Sequence, residues 1–282
     1  MGAPIGRRVF LARLGLGSVA VALLGPAACS TESRTGDTFA APPSPEEVRS
    51  TQGSAAPGAT SPGATSPETT APGTTGPAAE ETLSWERVSL GFVSAYVLRR
   101  GRRGVVVDTG VSGSEGAIEQ GLASLDLAWA DIDHVVLTHH HPDHVGSLGA
   151  VVELASAATV YAGEGDIPQI SSPRPPVAVG DGDEVLGLLV VETPGHTPGS
   201  ISVLDEASGV LVVGDALNGG DAVGGVAGTV AGANPDFSSD MAVAADTVRK
   251  LAALSFETAL FGHGEPVLSG ASDQVAQLAS EL

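Results

Sequence analysis

Residues 138–146 read Thr-His-His-His-Pro-Asp-His-Val-Gly, and no other stretch constrains the fold as tightly. The run holds the spacing HxHxDH, with His139, His141, Asp143 and His144. A helix puts residues four apart on one face, whereas His139 and His141 are two apart and need an extended stub. The preceding Ile132-Asp133-His134-Val135-Val136-Leu137 reads as a short buried strand, and Pro142 forbids its extension. The two imidazoles then point the same way from a strand end. Asp143 and His144 turn back beyond Pro142, within reach of a second ion a few ångströms away.

Three further pieces share this form: Pro194-Gly195-His196-Thr197-Pro198-Gly199, Gly214-Asp215 and Gly262-His263-Gly264. Each follows an apolar run: Leu188-Leu189-Val190-Val191, Val210-Leu211-Val212-Val213 and Ala259-Leu260-Phe261. Val105-Val106-Val107 runs likewise into Asp108. A buried sheet projecting ligands from one edge has this pattern, and the glycines permit close backbone approach. The candidate metal set is therefore His139, His141, Asp143, His144, His196, Asp215 and His263. These nitrogen and oxygen donors suffice for a dinuclear site, expected to hold two zinc ions, with iron or manganese as alternatives. His134 and His140 are left out, His140 being expected to face away from its neighbours. Asp108 is expected behind the ligands, holding one imidazole by its free N–H.

The HxHxDH motif, the VVVDTG segment (105–110) and the PGHTPGS segment (194–200) resemble the metallo-β-lactamase fold superfamily over residues 81–282. The resemblance implies an α/β fold, the αβ/βα four-layer sandwich. Two mixed sheets would face each other, with helices outside and metals at one edge. It also implies that His139, His141 and His196 bind a first metal, that Asp143, His144 and His263 bind a second, and that Asp215 bridges. True β-lactamases of one branch carry a cysteine where Asp215 stands, and another branch lacks the bridging carboxylate. This chain's single cysteine is Cys29, so it looks more like the glyoxalase II, lactonase and phosphodiesterase branches. The residues after His263 suffice for one helix, so the expected substrate is not a glutathione thioester.

The formal net charge is -20, and from Glu81 onward 8 basic residues face 27 acidic ones. Such a surface repels phosphate backbones, which argues against a nucleic-acid partner. A neutral ester, lactone, thioester or amide suits it better, so the expected partner is a small-molecule substrate.

Residues 1–29 read as a signal peptide. Arg7-Arg8 followed by Phe10-Leu11 resembles a twin-arginine signal, and the apolar run 14–24 is about half of what a spanning helix needs. Ala27-Ala28-Cys29-Ser30 resembles a lipoprotein cleavage box, with Pro26 where leucine is usual. The expectation is an exported protein, a cell-envelope lipoprotein anchored only through Cys29 or else secreted. Residues 30–80, rich in Pro, Ala, Gly, Ser and Thr, cannot build a core and read as a tether. Residues 81–282 form the expected catalytic domain.

Within that domain, residues 82–90 and 93–99 read as the opening antiparallel strands. Ser112 to Glu115 has capping-box form before a helix carrying Ile118, Leu122 and Leu125. A second helix is expected at 148–154. The clearest lies over 239–254, with Met241, Ala244, Ala245, Val248, Leu251 and Ala252 as its apolar stripe. Residues 166–183 and 217–237 fit neither period and are expected as walls and lid of a substrate cleft, with Arg174 a candidate for a substrate carboxylate.

The expected reaction is metal-dependent hydrolysis: a metal-bridging hydroxide attacks a carbonyl carbon, with Asp143 as the catalytic group that steers or accepts a proton. The alternatives are a mononuclear iron, sulfur dioxygenase-like redox enzyme, and a β-lactamase.

Overall fold

The structure is a computed structural model that describes residues 82–282. The expected signal peptide, Cys29 anchor and tether lie outside the described residues. Six strands form the first sheet, in the order β1 (Leu83–Ser89), β2 (Ser94–Arg100), β3 (Arg103–Val107), β4 (Ile132–Leu137), β5 (Thr159–Gly163), β6 (Val177–Val179). The first three pair antiparallel and the rest parallel, so the sheet is mixed. The second sheet contains β7 (Glu184–Val185), β8 (Leu188–Glu192), β9 (Ile201–Asp205) and β10 (Val210–Gly214), paired antiparallel in sequence order. A separate ribbon follows, β11 (Leu217–Gly219) with β12 (Val230–Gly232), before β13 (Thr258–Phe261) returns to pair parallel with β10.

The apolar runs that marked these strands are buried on both faces, and the two-residue period sorts their side chains into layers. Tyr96, Leu98, Val105, Val107 and Val136 meet Val190, Val203, Val212 and Leu260 between the sheets. The alternate residues Ala95, Val97, Val106, Val135 and Leu137 face outward, where Ile118 and Leu122 of α1 (Glu115–Ser124) cover them. Past α2 (Pro142–Val145), α3 (Leu148–Leu154) adds Leu148, Val151 and Val152 to that cluster. Leu211, Val213 and Phe261 face the other way, against Val248 and Leu251 of α4 (Met241–Leu251) and Val275 of α5 (Ala271–Ser280). Three apolar layers thus separate helix, sheet, sheet and helix. The buried Tyr96 hydroxyl ties the sheets together by donating to the Phe261 carbonyl at 2.7 Å.

Two helix readings need correction. α1 is capped at Ser114 and not at Ser112, because Gly113 at φ +89° turns the chain one step later. The Ser114 hydroxyl donates back to the Val111 carbonyl, so no capping box forms. In α4 the buried stripe is Ala244, Thr247, Val248 and Leu251, whereas Met241 is exposed. The stripe shifts because Asp240 caps the helix, its carboxylate accepting from the Ala242 and Val243 amides, and because the Thr247 hydroxyl donates to the Pro194 carbonyl.

Candidate metal centre

Five strand ends deliver the site. β3 runs into Asp108, β4 into His139, β10 into Asp215 and β13 into His263, while the loop from β8 to β9 carries His196. Backbone hydrogen bonds stitch these ends together: Ile201 N to Thr138 O, Gly262 N to Gly214 O and Ser94 N to Gly262 O. The extended backbone of His141 leads directly into α2, where Pro142 sits in the first turn and no amide is lost. That one turn carries Asp143 and His144 back toward the strand ends.

All seven side chains of the candidate set come together. His139, His141 and His196 offer ligand atoms within 4.8 Å of one another, as do Asp143, His144 and His263. His139 and His144 also group with Asp215, which joins the two sets. Asp215 Oδ2 is 3.5 Å from His196 Nε2 and 3.2 Å from His263 Nε2, and its Oδ1 is 3.4 Å from His144 Nε2. His196 Nε2 and His141 Nδ1 are 2.9 Å apart.

The surroundings set the tautomers. Thr138 Oγ1 donates to Asp108 Oδ2, so it accepts from His139 Nδ1–H. Asp108 Oδ2 also accepts from His144 Nδ1–H at 2.8 Å. Ser238 Oγ donates to the Asn234 carbonyl and accepts from His196 Nδ1–H. The Phe92 carbonyl accepts from His263 Nδ1–H at 2.7 Å. Four imidazoles therefore turn Nε2 inward, and each is oriented by an oxygen behind it that accepts from Nδ1–H. Asp108 stands where its role was expected, and it holds φ +61° to do so.

Titration follows from the packing. Burial pushes His139 well below the usual histidine range, and the neighbouring imidazoles add to the effect. Burial lowers His196 to about 4 and also lowers His141. Burial would raise the Asp143 carboxyl, but the His263 hydrogen bond outweighs it and holds Asp143 at about 2. Burial would lower His263, but its bonds to Asp143 and Asp215 lift it to about 10. The same contest raises His144, because Asp215 and Asp108 outweigh burial, and lowers Asp215 despite its own burial.

These residues fit divalent cations on two counts. The donors are nitrogen and oxygen only, and four imidazoles aim Nε2 inward. The buried atoms His139 Nε2 and Asp215 Oδ1 have no hydrogen-bond partner, although buried polar atoms are ordinarily paired.

A cavity of about 600 Å³ opens above the cluster, with His141, Asp143, His196, Asp215 and His263 in its floor. Residues 217–237 do form walls, through the short 3-10 helix Gly220–Val223 and through Asn218, Asn234 and Phe237. Residues 166–183 do not line it. Arg174 instead donates to the carbonyls of Val152, Ala155, Ser156 and Ala158, closing the C-terminal end of α3, so no guanidinium is left for a substrate.

The sequence reading missed Asp166, which is fully buried. Its carboxylate accepts from the His140 amide at 2.9 Å, the Thr197 hydroxyl at 2.6 Å and the Gly199 amide at 2.7 Å, and His140 Nδ1 lies 3.1 Å away. It thereby ties the His141 loop to the His196 loop and turns His140 from the cluster. Phe92 was also missed. Its ring stacks on His263 at 6.0 Å and 12° while its carbonyl orients the same imidazole. An aspartate after the buried Val160–Gly163 run was the available signal for the first, and nothing local marked the second.

A four-layer α/β sandwich with histidines and aspartates gathered at one rim of two facing mixed sheets is the class of fold and candidate site that the metallo-beta-lactamase superfamily shares. The family model of the metallo-beta-lactamase superfamily matches residues 88–263, and the chain belongs to that superfamily. It is 32% identical over 157 residues to the uncharacterized protein YobT of Bacillus subtilis (strain 168), covering 47% of this chain and 66% of that one. It is 32% identical over 181 residues to a hydroxyacylglutathione hydrolase of Aeromonas salmonicida (strain A449), covering 62% of this chain and 61% of the relative. The chain thus spans under two thirds of these relatives' lengths. A crystal structure of a metallo-beta-lactamase family protein from Thermus thermophilus superposes with a TM-score of 0.55 at 26% identity, covering 71% of this chain and 78% of that one.

Proposed function

We propose that this chain is a metal-dependent hydrolase acting on a carbonyl compound: an ester, lactone, thioester or amide. One observation carries the reading. Ligand atoms from separate strand ends face one another at and beneath the floor of an open cavity, and two of them, His139 Nε2 and Asp215 Oδ1, are buried without a partner. In this reading His139, His141 and His196 would hold one cation and Asp143, His144 and His263 a second, with Asp215 within reach of both sets. Bound zinc would supply Lewis acidity and would lower the pKa of a water to about 7.

The remaining work falls to the chain's own groups. Asp108, Thr138, Ser238 and the Phe92 carbonyl hold the Nδ1–H groups and so aim each Nε2 at the place where a cation would displace any proton on it. Asp143 lies in the cavity floor with its carboxylate 3.3 Å from His263 Nε2 and is ionised at neutral pH, so it can orient a water and accept its proton. Export is a separate part of the proposal and rests on the Arg7-Arg8 and Cys29 signals.

The test is metal analysis of protein purified without chelators, combined with a screen of lactones, thioesters, phosphodiesters and β-lactams. Two zinc ions per chain and carbonyl turnover that disappears in H141A and D143A are expected. Turnover that survives complete metal removal would overturn the proposal, and one iron per chain with no hydrolysis would move the chain to redox chemistry.

A further inference from the structure

The walls of the cavity carry a specificity signal separate from its floor. Phe92, Val223 and Phe237 line it and are 64%, 43% and 68% exposed. They come from three different segments: the β1–β2 turn, the 3-10 helix after β11, and the loop before α4. A single exposed apolar side chain is ordinary, but three gathered around one opening mark a surface that an apolar group covers.

Charge around the same opening is one-sided. Among the described residues that line it, Arg87 is the only lysine or arginine. All three of its nitrogens are already engaged: Nε donates to Ser94 Oγ at 2.9 Å, Nη1 to Glu265 Oε2 at 2.8 Å and Nη2 to the Gly264 carbonyl at 3.0 Å. Glu265 cancels its charge, and Asp221 adds a second carboxylate to the wall by accepting from the Glu265 amide at 2.9 Å. A substrate carboxylate or phosphate remote from the floor would meet acidic groups and no free cation.

We propose that this cavity selects uncharged substrates whose acyl or aryl arm packs against Phe92, Val223 and Phe237, and that it disfavours substrates with an anionic arm. The inference deepens the hydrolytic reading and rests on it for the position of the reacting carbonyl.

The test uses the metal-loaded protein and a series of alkyl hydroxamic acids of increasing chain length, each paired with an analogue ending in a carboxylate. Calorimetric binding is the first readout. Affinity is expected to rise roughly fourfold per added methylene until the arm outgrows the walls. The carboxylate-ended partner should bind more than about tenfold more weakly. F237A should flatten the chain-length trend, and E265Q, by releasing Arg87, should close most of the carboxylate gap. Carboxylate-ended ligands that bind as well as their alkyl partners, or an F237A protein with an unchanged trend, would overturn the proposal. Turnover is the second readout, comparing neutral alkyl thioesters with a hydroxyacylglutathione, whose two carboxylates make it anionic. A higher kcat/KM for the glutathione compound overturns the specificity proposal while leaving hydrolysis standing. The binding pattern without turnover of any carbonyl compound upholds the specificity and removes the hydrolytic reading.

Discussion

Gly262 offers a test of the candidate metal centre that replaces none of its ligands. A Cβ at this position would lie 2.1 Å from Asp215 Oδ1 and 2.5 Å from His144 Cε1. Carbon and oxygen settle at about 3.5 Å, so each side chain would have to retreat by about 1 Å. Neither has an easy route. His144 is wholly buried and anchored through Nδ1 to Asp108, which is itself held by Thr138. The backbone cannot yield instead, because the Gly262 amide donates to Gly214 O and its carbonyl accepts from Ser94 N. Gly262 lies outside the left-handed region, so alanine meets no backbone penalty and the effect is purely steric.

Metal ligands tolerate about 0.2 Å of displacement, so G262A should lower affinity for the ion pair at least about a hundredfold. Overpacking of this kind also costs about 1–3 kcal/mol of intrinsic stability, roughly 2–12 °C for a domain of this size. The assay is metal content after equilibration against graded chelator, with thermal melts before and after stripping. The gap between loaded and stripped Tm should shrink in G262A, because ligand binding contributes less. G149A is the control: its Cβ meets nothing within 4 Å. It should keep both metals and gain about 0.5–1 kcal/mol from helix propensity. A G262A protein that holds metal as tightly as the wild type would refute the convergence of Asp215 and His144 on one ion.

Other perturbations separate support from chemistry. R174M removes the clasp on α3 and should lower stability by about 2–3 kcal/mol, seen as a Tm drop of roughly 5–10 °C, while metal content and kcat stay unchanged. D166N turns an amide donor toward the His140 and Gly199 amides or the Thr197 hydroxyl, and should weaken metal binding about 10–100-fold in chelator competition. In the metal-free protein, His196 has a folded pKa of about 4, below the unfolded value of about 6.5, so its contribution is present above pH 6.5 and is lost as pH falls through 4. His263 is raised to about 10, so its contribution is complete below pH 6.5 and is lost as pH rises through 10. Chelated protein should therefore melt highest near neutral pH, and chelated H263Q should lose less between pH 6.5 and 10; equal alkaline losses in the two proteins would show that His263 is not held by Asp143 and Asp215.

Which features could be read from the chain depends on where their physical cause lies. His139, His141, Asp143 and His144 were legible because strand period, a proline stop and donor chemistry all act within a few residues. His196, Asp215 and His263 were legible because each follows an apolar run with a glycine beside it. The sheets were legible for the same reason: runs such as Val105–Val107, buried on both faces, leave no polar alternation to misread. Arg174 was not, because a guanidinium serving four backbone carbonyls has the same local sequence as one serving a ligand. Asp166 works through amides and a hydroxyl, on two loops about thirty residues away on either side, and only the fold brings them together. Phe92 orients His263 with its carbonyl, a group every residue possesses, and no side-chain pattern can announce it. The converging donor atoms of this candidate centre are thus encoded by residue type, whereas the groups that aim them are encoded by topology. The second kind is more open to drift: changes at Asp166, Phe92 or Gly262 would leave HxHxDH intact while spoiling the geometry it advertises, and a chain carrying the motif is a working metal centre only when those supports accompany it.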